Sequence, residues 1–93
     1  MIIQHEESGH KGAFFIKENG HRLAEMTYSK AGESILIIDH TEVAEELRGT
    51  HTGRALVMQA AEYARAQNLK IIPLCPFAKS VFDKTPALSD VLK

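Results

Sequence analysis

A single cysteine, Cys75, stands among the 93 residues, so no internal disulfide can form and the fold does not depend on an oxidising compartment. Its thiol is left for other chemistry. There is no excess of either charge: 11 Lys and Arg against 12 Asp and Glu leave a formal net charge of -1. That gives no general pull toward nucleic acid or anionic lipid, and any anion site must be local. No apolar run approaches the roughly 20 residues needed to span a bilayer, and the opening Met1-Ile2-Ile3-Gln4-His5-Glu6 lacks a basic stretch followed by an apolar one. The expectation is a cytoplasmic chain without membrane association. His5, His10 and His21 lack metal-ligand spacing, and one cysteine does not make a zinc site, so no metal is expected. No heptad, repeat, linker or low-complexity segment divides the chain, and oligomeric state is left open.

What is present is ordinary globular material, 44% hydrophobic and 25% charged, enough to bury a core without covalent staples. A length of 93 residues accommodates one core, so residues 1–93 are expected to form a single domain.

After a polar opening, Ala13 to Lys17 and Arg22 to Tyr28 read as strands joined by Glu18-Asn19-Gly20-His21, in which Asn-Gly is a tight-turn signal. Gly32 marks the next turn. Ser34 to His40 is a β-branched run too continuously apolar for a strand with one face in water, and it predicts a central strand. A short acidic connection, Thr41 to Leu47, is expected to lead into the loop Arg48 to Gly53. From about Gly53 to Gln67 the chain is helical: Leu56, Ala60, Tyr63 and Ala64 make one apolar stripe, widened by Val57 and Ala61, and Asn68 suits a left-handed stop. Lys70 to Leu74 is a short strand whose Pro73 predicts incomplete pairing. Pro76 suits the first position of a second helix, closed by Thr85-Pro86. Three antiparallel-leaning strands, a helix, a strand and a helix make an α/β layer structure.

The loop from the apolar strand into the helix has what an anion cradle requires. Gly49 and Gly53 let backbone N–H groups turn inward without a Cβ clash, and the helix start adds unpaired donors and the positive end of its dipole. Arg48, Arg54 and the hydroxyls of Thr50 and Thr52 add donors around the same point. The plainer alternative is that Gly49 turns the chain and Thr52 caps the helix.

The segment Asp39-His40-Thr41-Glu42-Val43, followed by Arg48-Gly49-Thr50-His51-Thr52-Gly53-Arg54, resembles the acetyl-CoA signature of the GNAT acyltransferases, Q/R-x-x-G-x-G/A. Arg48 and Gly53 match its ends, and His51 stands where the pattern has its middle glycine. With Asn68 to Lys79, containing Cys75-Pro76-Phe77, the chain resembles the small one-domain GNAT-like proteins of the YjdJ type over nearly its whole length. The resemblance implies a minimal α/β (α+β) GNAT fold, with a mostly antiparallel central sheet, two helices and a splayed strand pair. It implies that residues 48 to 54 hold the pyrophosphate of coenzyme A. It further implies that Thr41 and Val43 pair with the pantetheine arm, that Phe77 adjoins it, and that the thioester points toward Cys75. The expected cosubstrate is acetyl-CoA and the expected partner an unidentified amine, with transfer direct or through Cys75. The competing reading is a CoA- or acyl-CoA-binding module without turnover.

Cys75 also has a reading of its own. Just before Pro76 it adjoins a helix N-terminus, which favours a thiolate, although a lone cysteine is equally a small buried hydrophobe. His40, ending the central strand, is the candidate for proton transfer, against a structural histidine bonding the loop. Glu42, Glu45 and Glu46 read either as a base acting through water or as a solvated acidic face. Larger relatives often place a tyrosine after the last core strand to protonate the departing CoA; Phe77 and Phe82 occupy that region here.

Overall fold

The computed structural model of the protein describes residues 2–93; Met1, the first residue of the opening read for a leader and of the 1–93 span, lies outside them. The order of elements is β1 (Gln4–Ser8), β2 (Lys11–Glu18), β3 (His21–Ala31), β4 (Ile35–Val43), a 3-10 turn (Glu45–Leu47), α1 (Thr52–Gln67), β5 (Lys70–Pro73), α2 (Pro76–Lys84) and a closing 3-10 turn (Pro86–Val91). The strands form one sheet in the order β1-β2-β3-β4-β5. It is antiparallel through β4, and the crossover through α1 makes β4 and β5 parallel.

The Asn-Gly expectation is met locally. Glu18 pairs with His21, and Asn19 and Gly20 both have positive φ, 51° and 81°, as a two-residue hairpin turn requires. Alternation then sorts the sheet into two faces. Phe14 and Ile16 of β2, Ala24, Met26 and Tyr28 of β3, and Leu36 and Ile38 of β4 join Leu56, Val57, Ala60, Ala61 and Ala64 of α1 in one buried cluster. Ala78, Val81 and Phe82 of α2 close the same core, together with Leu88 and Val91. On the open face Phe15 is also buried, with the Arg22 guanidinium 3.8 Å above its ring.

Two expectations are corrected. The polar opening contains a strand, β1, although all its residues are exposed. It is held by its hairpin with β2 and by two side chains that reach the helix side. His5 stacks on Phe14 with ring centroids 4.2 Å apart, and Glu7 accepts hydrogen bonds from Tyr28 (2.6 Å) and Tyr63 (2.9 Å). The acidic connection expected from Thr41 is instead the end of β4, which runs to Val43 because Thr41, Glu42 and Val43 pair with Met26, Glu25 and Ala24. Backbone pairing to β3 outweighs the polar composition of that segment.

Candidate functional site

The site is built where β4 and β5 part. Their parallel pairing ends at Ile38 and Pro73; Pro73 closes β5, and Leu74 and Cys75 both donate their N–H to the Ile38 carbonyl, at 3.1 and 3.2 Å. Beyond Ile38, β4 continues to Val43 paired to β3 alone. On the other side of the same strand the register slips: Tyr28 pairs with Ile38 and Thr27 with His40, so Asp39 is an extra residue, a β-bulge. The bulge changes which residues face the helices. Leu36 and Ile38 face them before it; Thr41 and Val43, opposite Met26 and Ala24, face them after it.

The freed edge of β4 opens onto a groove of about 1050 Å³. One wall is the strand end and loop, Thr41, Val43, Leu47, Arg48 and Gly49, continuing into His51, Thr52, Gly53 and Arg54 at the start of α1. The other wall is a stripe along α2, Phe77, Ser80, Val81 and Lys84, spaced i, i+3, i+4 and i+7. Among the described residues, Arg48, His51, Arg54 and Lys84 line this space and no aspartate or glutamate does, in a chain with 12 acidic residues. The donor set suits a ligand carrying several negative charges and an apolar stretch.

The loop is shaped by left-handed residues. Gly49 has φ 78° and His51, at the N-cap of α1, has φ 62°, the conformation that glycine adopts without strain. Thr52 is the first helical residue and the cap position makes no side-chain hydrogen bond, so Thr52 is not the cap. Its hydroxyl lies 2.6 Å from that of Thr50, which donates in turn to the Leu47 carbonyl at 2.5 Å. These two hydroxyls therefore brace the loop, and the donors it presents to the groove are backbone N–H groups at the helix start. Arg48 is exposed and its Nε meets Glu45 Oε2 at 2.9 Å. Gly53 is buried against Phe77: a Cβ there would lie 2.7 Å from the Phe77 ring. Glycine at this position lets the loop and α2 approach closely enough to make one groove.

Cys75 is buried and caps α2 in an extended conformation, with Pro76 beginning the helix. Its thiol donates to Thr41 Oγ1 at 3.4 Å, across the gap between the strands. Burial pushes the thiol pKa up, but hydrogen bonding with the Thr41 hydroxyl and with the backbone of Ala78, Phe77 and Thr41 outweighs it, and the net shift is downward.

His40 is not brought to Cys75. Opposite Thr27 it projects from the open face of the sheet, where its Nε2 lies 2.9 Å from Glu42 Oε1. The bulge thus separates the candidates: Thr41, Val43, the loop, Phe77 and Cys75 gather on the helix face, and His40 with Glu42 stands on the other. Ser80 and Lys84 were missed by sequence reading. The signal was available, since both follow Phe77 along one face of a predicted helix. Among the described residues no group of His, Cys, Asp and Glu is arranged to hold a metal ion.

Residues 13–91 match the family model described as GCN5-related N-acetyl-transferase. The solution structure of a GCN5-like protein from Staphylococcus aureus is similar at 37% identity and a TM-score of 0.73, covering 97% of this chain and 87% of that one. A ribosomal-protein-alanine N-acetyltransferase from Brucella melitensis biovar Abortus 2308 shares the fold, with TM-score 0.69 and 16% identity over 83% of this chain and 62% of that one. So does an aminoglycoside N-acetyltransferase in complex with CoA, with TM-score 0.60 and 10% identity over 87% of this chain and 68% of that one. No curated protein matches the chain.

Proposed function

The chain belongs to the GCN5-related N-acetyltransferase family, and from that premise we propose that it is a single-domain, cytoplasmic enzyme that transfers the acetyl group of acetyl-CoA to an amine. The observation that carries this reading is the acid-free, cationic groove that runs from the α1 loop to the freed edge of β4. The backbone N–H groups of Gly49 and of residues 51 to 54 hold the pyrophosphate, with Arg48 beside them, while those of Arg48 and Thr50 are spent inside the loop on the Glu45 and Leu47 carbonyls. The unpaired edge of β4 at Thr41 and Val43 offers main-chain groups to the amide-bearing pantetheine arm, as a sheet edge takes an extra strand. Phe77, 42% exposed, packs against the arm.

Acetyl-CoA supplies an activated thioester. Thr41 fixes the Cys75 thiol at the parting of the strands, and that thiol, more acidic than an ordinary cysteine, releases its proton to the departing thiolate. His40 and Glu42 occupy the open face of the same strand, from which an amine reaches the gap, and His40 takes the amine's proton. The amine attacks directly, and Cys75 need not carry the acetyl group.

Titration with CoA and acetyl-CoA, followed by amide chemical shifts, tests the reading. Residues 41–43, 48–54 and 77–84 are expected to move; silence around 48–54 would overturn it. Binding without transfer to any of a panel of amines and peptides would instead establish a CoA-binding module. Cys75→Ser should retain measurable transfer, and a dead variant that still binds CoA would show that the acetyl group passes through the sulfur.

A further inference from the structure

The groove holds a second cationic position, separate from the loop. Its order along the groove follows from three contacts: Thr41 meets Cys75 at one end, Gly53 abuts Phe77 in the middle, and Arg54 reaches Thr85, the residue after Lys84, at the far end. Phe77 and Lys84 are seven residues apart on α2, about 10 Å of helix rise. The Arg54 guanidinium is fixed by one hydrogen bond, Nη1 to Thr85 Oγ1 at 2.9 Å, which leaves its remaining N–H groups for another acceptor. Lys84 is exposed, ends α2, and makes no ion pair or hydrogen bond among the described residues; the neighbouring Asp83 is turned away to Lys79 at 3.1 Å. A lysine at a helix C-terminus offsets the negative end of the dipole, so an anion arriving there meets net positive charge.

We propose that Lys84, with Arg54 beside it, recognises the phosphate on the 3′ carbon of the CoA ribose and makes the enzyme selective for CoA over 3′-dephospho-CoA. The proposal rests on the reading that CoA occupies this groove. The order of charges in the ligand matches the order in the groove: the thiol end at Thr41 and Cys75, the pyrophosphate at the α1 loop, and the third phosphate beyond it at Arg54 and Lys84.

The two nucleotides differ only in that phosphate, so calorimetric titration of the full chain with each isolates its contribution. The wild-type protein is expected to bind CoA about tenfold more tightly than 3′-dephospho-CoA at low salt, a preference that shrinks as salt is raised. Lys84→Gln should weaken CoA to nearly the level of 3′-dephospho-CoA and leave the latter unchanged. Equal binding of the two by the wild type, or an equal loss of both in Lys84→Gln, overturns the proposal while leaving the CoA site intact. Failure of either nucleotide to bind the wild type overturns the underlying reading as well.

Discussion

Cys75 and Thr41 meet at 3.4 Å across the point where β4 and β5 separate, joining two strands whose backbones have stopped pairing. The contact acidifies the thiol, since a hydroxyl that accepts from S–H can donate to the thiolate once the proton leaves. Thr41→Val keeps the shape and removes that donor. The Cys75 pKa should then rise, seen as a shift to higher pH in the midpoint of its alkylation by iodoacetamide. An unmoved midpoint would assign the acidity to the backbone groups of the α2 start and of residue 41, which the substitution leaves in place.

His51 sits in a left-handed conformation that costs a non-glycine residue roughly 1–2 kcal/mol, against the roughly 0.5–1 kcal/mol that glycine loses in chain entropy. His51→Gly should therefore be more stable by about 0.5–1 kcal/mol, or about 3–5 °C in Tm. It should bind CoA at least as tightly, because the loop backbone gains room at the phosphates. A weaker Kd would mean that the imidazole itself contacts the ligand.

Gly53→Ala sets two effects against each other. Alanine favours the helix by about 1 kcal/mol, but its Cβ meets the end of the Phe77 ring. That ring is partly exposed and can swing away, so folding stability should change by less than about 1 kcal/mol. The displaced ring then fills part of the groove, and CoA affinity should fall about tenfold by calorimetry.

Glu7 ties β1 to the helix layer. Hydrogen bonds from Tyr28, then Lys30, overcome partial burial and, with Tyr63, lower its carboxyl from 4.5 to about 2. A folded-state value below the unfolded one stabilises the fold above about pH 4.5, and that stabilisation is lost as pH falls toward 2. Acid melting curves of the wild type and Glu7→Gln should differ by about 1 kcal/mol near neutrality, given the partial exposure, and converge toward pH 2. Burial also holds the His5 imidazole below its ordinary pKa against the opposing charge of Glu7, so the acid penalty of protonating it is greater in Glu7→Gln, which lacks that charge.

His40→Ala should lower kcat by about a hundredfold while leaving the Kd for acetyl-CoA unchanged, because the imidazole lies on the face away from the groove. An unchanged kcat would restrict His40 to bonding Glu42.

What the sequence determined was whatever rests on local chemistry. Asn19-Gly20 made the hairpin, the apolar stripe from Leu56 to Ala64 made α1, Asn68 stopped it at φ 59°, Pro76 began α2, and Gly49 with Gly53 placed the loop at a helix start. Each depends on residues within a turn or two of one another. The tertiary structure decided what depends on partners far along the chain. β1 is a strand because its backbone pairs with β2 and because Phe14, Tyr28 and Tyr63 receive His5 and Glu7. Thr41 faces Cys75 and His40 turns away only because β3 pairs across the Asp39 bulge, which shifts the two-residue alternation by one. Thr50 and Thr52 brace the loop rather than present their hydroxyls because each lies within reach of the other. Lys84 joins the groove only because Gly53 lets α2 lie against the start of α1, a closeness that spacing along a chain does not specify.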